Sequence, residues 1–115
     1  ADVAVLGGDF DQPYASVVAA DPSWVRLAFV DGVLLYGDDQ LQSLAPASPG
    51  CEQIDICGRT KFVCVAIDGG DASNKFGQTL VDIQTALNGA LAAYDLLDMS
   101  QWDFEPITPL ARCRR

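Results

Sequence analysis

Histidine is absent from this chain of 115 residues, and no other absence removes as much chemistry. Without it there is no Ser-His-Asp or Cys-His nucleophile and no zinc site built with imidazole. Basic residues are scarce as well: seven Lys and Arg stand against sixteen Asp and Glu, a formal net charge of −9. A surface of that sign repels phosphate backbones and anionic headgroups, so neither nucleic acid nor a membrane is an expected partner. No apolar run approaches the roughly 18 uncharged residues of a membrane-spanning helix. Nor does a basic-then-apolar signal peptide open the chain. Ala1 and Asp2 lead at once into a strand-like run, as expected of an excised fragment or a processed product.

Half of the residues are apolar and a fifth are charged, the balance of a folded globular chain. One domain is expected over 1–115, divided by a Pro- and Gly-rich linker at 46–50 into a segment 1–45 and a cysteine-bearing segment 51–115. The acidity serves solubility. Calcium is the functional alternative, at the acidic loops around Asp9 and Asp11 or Asp68 and Asp71. Neither has the alternating ligands and terminal Glu of an EF-hand loop.

The clearest local signal lies at 24–38, where two apolar runs flank Asp31-Gly32. Asp-Gly readily takes positive φ at both centres of a type I′ turn, so a β-hairpin is predicted at 24–36. In it Leu27 and Phe29 face one way, Arg26 and Ala28 the other. Upstream, Val3 to Leu6 is a continuous apolar run that reads as a short buried strand ended by Gly7-Gly8. Pro13 suits the first turn of a helix through Ala20, with Tyr14, Val17 and Val18 on one side. Asp38-Asp39 begins a short helix carrying Leu41 and Leu44. In the second half, 52–57 and 62–67 read as strands around a loop 58–61, followed by a flexible loop at 69–74. A helix is predicted over 79–97 with an apolar stripe at Ile83, Leu87, Leu91 and Tyr94 and a Thr79/Asp82 capping box. Gly89 within it implies close approach to a sheet. The 102–110 tail should run extended along the core, with Phe104, Ile107 and Leu110 turned inward. The expected fold is α+β: a small, mostly antiparallel sheet or incomplete β-sandwich, with that long helix packed on it.

Cys51, Cys57, Cys64 and Cys113 lack the close pairs of a zinc knuckle. Their even number in a small acidic domain leans toward disulfides and an oxidising, extracytoplasmic or periplasmic setting. Buried free thiols in the cytoplasm are the alternative. Three connectivities exist. Pairing Cys57 with Phe62 puts Ile54, Ile56, Val63 and Val65 on one face. Cys57 and Cys64 then become diagonal neighbours about 7–8 Å apart. This register favours Cys57–Cys64 with Cys51–Cys113 as the second bridge.

Other chemical candidates have simpler accounts. Asp38-Asp39 and Asp9/Asp11 could pair as acid and base, but adjacent carboxylates are common at turns and helix starts. Gly7-Gly8 and Gly69-Gly70 lack the spacing of phosphate cradles. Trp24, Trp102, Tyr14 and Tyr36 could line a sugar platform, although aromatics in a small core usually pack. The arginines at 112, 114 and 115 read as a solvated tail. No residue is expected to be catalytic, to ligate metal or to bind a cofactor.

Segments 1–9 (Ala-Asp-Val-Ala-Val-Leu-Gly-Gly-Asp) and 24–38, with Val25, Phe29-Val30-Asp31-Gly32 and Val33, together resemble the C-terminal stretch of amidohydrolase-superfamily proteins. The resemblance covers roughly the first 40 residues, a third of the chain, and carries no catalytic residue. It implies a non-catalytic accessory part of a metal-dependent hydrolase of amide or cyclic-amide C–N bonds. The divalent metal of such a parent would sit on histidines elsewhere, and the partner of this chain would be the barrel. Exposed edges in the isolated chain would then favour homo-oligomers. Residues 46–115 depart from the family pattern, in which chains end soon after the hairpin. The competing reading is a free-standing, disulfide-stapled extracytoplasmic binding module.

Overall fold

The computed structural model describes residues 2–46, 51–66, 77–97, 104–107 and 109–113. A five-stranded sheet runs through both halves of the sequence, in the order β1-β2-β3-β5-β4 with every neighbouring pair antiparallel. Its strands are β1 (Val3–Leu6), β2 (Val25–Val30), β3 (Val33–Asp38), β4 (Glu52–Ile56) and β5 (Arg59–Val63). Helix α1 (Pro13–Ala19) lies between β1 and β2, and the long helix α2 (Leu80–Asp95) follows the sheet. This is the small α+β fold expected, with a single open sheet.

The first hairpin forms as its turn chemistry dictates. Asp31 and Gly32 both take positive φ, 51° and 77°, and the Asp31 N–H donates to the Asp2 carboxylate at 2.8 Å. Two bulges then shape the strands. The register passes from Val5 opposite Leu27 to Leu6 opposite Val25, making Arg26 an extra residue on β2. It also passes from Ala28 opposite Tyr36 to Phe29 opposite Leu34, making Leu35 extra on β3. The Leu35 carbonyl released by this bulge accepts from the Cys64 N–H at 2.7 Å. A bulge sharpens local twist and re-aims side chains, and here it puts Leu34 on the same face as Phe29 and Leu27.

That face carries the core. Leu34, Phe62 and Cys64 are buried together, with Leu27, Phe29, Cys51 and, from the 3₁₀ turn Asp39–Leu44 and the residue after it, Leu41 and Ala45 packed around them. Gly37 lies between Leu27 and Phe62 in the cross-strand row. A Cβ there would stand 2.7 Å from Leu27 Cδ2, 2.9 Å from the Arg26 carbonyl and 2.9 Å from the Phe62 ring. Overpacking of this kind costs about 1–3 kcal/mol. Gly37→Ala should lower the denaturation midpoint accordingly; an unchanged midpoint in urea would show that the ring can move aside.

Several sequence expectations are corrected. Strand β1 is an edge, and Val3 and Val5 are exposed rather than buried. The second hairpin turns on two residues, Cys57 and Gly58, with φ of 56° and 77°, instead of the loop 58–61. The Asp55 carboxylate accepts from the Gly58 N–H at 3.0 Å and holds this turn. Ile56 therefore faces Arg59 where the sequence register put Val63, a slip of four residues. An even slip preserves the faces, so Ile54, Ile56 and Val63 still share one. Gly89 has nothing within 4 Å of its Cβ position, so close packing does not explain it.

Helix α2 begins at the predicted capping box: Thr79 Oγ1 accepts from the Asp82 N–H at 3.1 Å, and Asp82 accepts from the Thr79 N–H. The Thr79 hydroxyl, donating to the Asp82 carboxylate at 2.6 Å, and then the Thr79 N–H hold that carboxyl below its usual range. The Glu52 carboxylate of β4 also accepts from the N–H groups of Leu80 and Val81, at 2.5 and 3.3 Å. A carboxylate there satisfies orphan donors at the positive end of the helix dipole and ties α2 to the sheet. No helix residue is fully buried. The tail returns along α2, not along the core: Phe104 meets the Tyr94 ring edge-on at 5.3 Å, and the Ile107 N–H donates to Asn88 at 3.0 Å. Phe104 and Leu110 stay exposed, against expectation.

Candidate functional site: a buried lysine beneath an arginine-lined cleft

Lys61 is fully buried. The sequence places it in the loop 58–61, but the two-residue turn carries it into β5, directly opposite Asp38 of β3. An ammonium has three donors and no acceptor, and all three are used. Lys61 Nζ donates to the carbonyls of Ser23 at 2.8 Å and Val25 at 2.9 Å, and to Asp38 Oδ1. The Ser23 carbonyl is presented by the 3₁₀ turn Pro22–Trp24, whose entry is capped by Asp21 accepting from the Ser23 N–H at 2.9 Å. Burying an unpaired charge would be prohibitive, and this arrangement leaves none.

Asp38 holds a second cation through Oδ2, the Nε of Arg26. Burial raises the Asp38 carboxyl, but hydrogen bonds and charges from Lys61 and Arg26 outweigh it and leave the group below its ordinary value. Tyr36 lies two residues before Asp38 on the same strand. Burial first, and then the Asp38 charge, raise its phenol above the usual value.

Above this network an open cleft of about 400 Å³ is lined by Arg26, Asp38, Asp39, Gln40, Arg59 and Thr60. A second cleft of about 370 Å³ shares Arg26 and Arg59 and adds Gly7, Gly8 and Trp24. The sequence singled out Asp38-Asp39 as a carboxylate pair. The structure separates their roles: Asp38 is committed to Lys61 and Arg26, whereas Asp39 accepts from Gln53 Nε2 at 2.5 Å. Asp9 and Asp11 form a local turn, the Asp11 N–H donating to the Asp9 carboxylate at 2.9 Å. Tyr14 is 88% exposed and forms no ring contact with Trp24 or Tyr36 among the described residues. Trp102 and the Asp68–Asp71 loop, like the loop 69–74, lie outside the described residues. Among the described residues, no cluster of three metal-ligating side chains occurs. None of the helices there is long and apolar enough to cross a membrane.

The four cysteines form two disulfides, Cys51–Cys64 and Cys57–Cys113. This replaces the favoured pairing of Cys57 with Cys64, and register is the reason. With Glu52 opposite Val63, the next pair outward is Cys51 and Cys64, whose Cα atoms are 4.2 Å apart. That is the spacing of a directly opposed, non-hydrogen-bonded pair. Cys57, left at the turn, reaches the returning tail. Disulfides persist in oxidising compartments. Sequence reasoning missed the Lys61 network because its partners lie 23 to 38 residues away. The only local signal is Gly58, which suits the second centre of a type I′ turn, because Cys is not one of the residues favoured before it.

Comparisons of the chain with protein-family models, with curated proteins and with solved structures find no match.

Proposed function

We propose that this chain is the accessory, non-catalytic C-terminal part of an extracytoplasmic amidohydrolase-like hydrolase that cleaves amide or cyclic-amide C–N bonds. The observation that carries the reading is the arrangement of the two resembling segments. Segment 1–9 supplies β1 and segment 24–38 supplies β2 and β3, and the three pair side by side with β1 as a free edge. Beside that edge, apolar side chains stand in solvent. Phe10 is 99% exposed, Tyr14 is 88% exposed, and Val17, Val18, Val3 and Val5 add to them. Exposed apolar surface next to an unpaired strand is what a segment removed from a larger sheet and barrel would leave. With no histidine in the chain, the metal and its chemistry belong to the barrel. An antibody against residues 1–115 should detect, in source cells, a polypeptide several hundred residues longer than this chain. That polypeptide, once purified, should contain a divalent metal and hydrolyse amide substrates. A native product of 12.3 kDa would overturn the reading. It would leave the alternative that the two disulfides favour, a stapled binding module secreted on its own.

A further inference from the structure

We propose that the paired clefts at Arg26 and Arg59 bind a small monoanionic carboxylate whose planar apolar body lies against Trp24. Three of the seven basic residues of this acidic chain gather here. Lys61 lies under the floor, while Arg26 and Arg59 line both clefts. The β1–β2 bulge aims Arg26 across the sheet end, and its Cδ lies 3.9 Å from where a Gly7 Cβ would be. Its Nε contact with Asp38 uses one of five guanidinium donors. Arg59 is exposed and forms no ion pair among the described residues.

Charge decides the class of ligand. Arg26, Arg59 and the Lys61 beneath them carry one positive charge more than Asp38 and Asp39 supply in negative charge. One carboxylate neutralises it, and a planar guanidinium fork suits a carboxylate through two parallel bonds. A phosphate dianion would overcharge the site beside two aspartates. Trp24, 37% exposed, also lines the second cleft, and its indole is the one aromatic side chain among that cleft's residues. Clefts of about 400 and 370 Å³ fall in the size range of small-molecule sites. The proposal does not depend on the hydrolase reading, because it concerns only side chains of this chain.

Benzoate is the probe, with benzamide as its neutral isostere and acetate and inorganic phosphate as controls, titrated by calorimetry and backbone NMR into the oxidised chain. Benzoate should bind saturably, shifting signals at Arg26, Arg59 and Trp24. Benzamide, acetate and phosphate should each bind at least tenfold more weakly. Arg59→Gln should weaken benzoate at least tenfold with backbone spectra otherwise superimposable, and Arg59→Lys should fall between. If Arg59→Gln perturbs the fold, the Arg59→Lys and benzamide comparisons decide. Equal binding of benzamide, tighter binding of phosphate, no saturation, or an unchanged affinity in Arg59→Lys would each overturn the proposal.

Discussion

Asp38→Asn should lower the unfolding free energy by about 3–5 kcal/mol, because it strands the ammonium of Lys61 in the sheet without a counter-charge. The Ser23 and Val25 carbonyls remain as acceptors, but neutral acceptors cannot replace the carboxylate. The same change should alter the pH dependence of stability. The folded Asp38 carboxyl titrates below its unfolded value near 3.9. Its contribution is therefore fully present above about pH 4 and is lost as pH falls through the folded value. Denaturation curves of the parent should steepen in that acid window, whereas those of Asp38→Asn should be flatter there. An apolar double replacement, Asp38→Leu with Lys61→Met, removes both charges together. It should cost less than the two single changes added, since burying neither ion is often nearly neutral. A loss below about 1 kcal/mol in Asp38→Asn would mean that water reaches Lys61 and that the network is worth no more than a surface pair.

Removing the Cys57–Cys113 bridge should cost nearly as much. The bond spans 56 residues, and a loop of that size restrains the unfolded chain by about 4 kcal/mol in the chain-entropy account. The substitution at 57 must respect the turn, because Cys57 has a φ of 56° and Gly58 follows it. Cys57→Asn with Cys113→Ser keeps an Asn-Gly type I′ turn and isolates the loss of the cross-link. Cys57→Ala in the same background should be worse by about 1 kcal/mol, since a left-handed backbone suits Asn and not Ala. The other bridge is shielded: Cys64 is 2% exposed, whereas Cys113 is exposed. Mild reduction followed by alkylation and mass analysis should therefore label Cys57 and Cys113 first. Simultaneous labelling of all four cysteines would show that the sheet opens before the tail is released.

Particular residues show where sequence reasoning reaches. Asp31-Gly32, Pro13, and Thr79 with Asp82 each act within a few positions of themselves, and each forms the element its chemistry predicts. Gly37 and Lys61 do not. Gly37 is required by Leu27 and Phe62 on the two flanking strands, and Lys61 by a carboxylate and two carbonyls in the first half of the chain. A loop at 58–61 in place of a turn at Cys57-Gly58 is enough to misplace both bridges. A slip of four residues moves Cys64 from opposite Cys51 to diagonal with Cys57.

Residue types and near neighbours along the chain are enough to dictate the antiparallel α+β character, the first hairpin, the start of α2 and, through the missing histidine, the exclusion of imidazole chemistry. Only the tertiary arrangement sets the register of the second hairpin, the disulfide connectivity, the burial of Lys61 and the placing of Arg26 and Arg59 along the same clefts. Strand pairing is chosen by burial and hydrogen bonding summed over distant segments, and local spacing does not contain that sum.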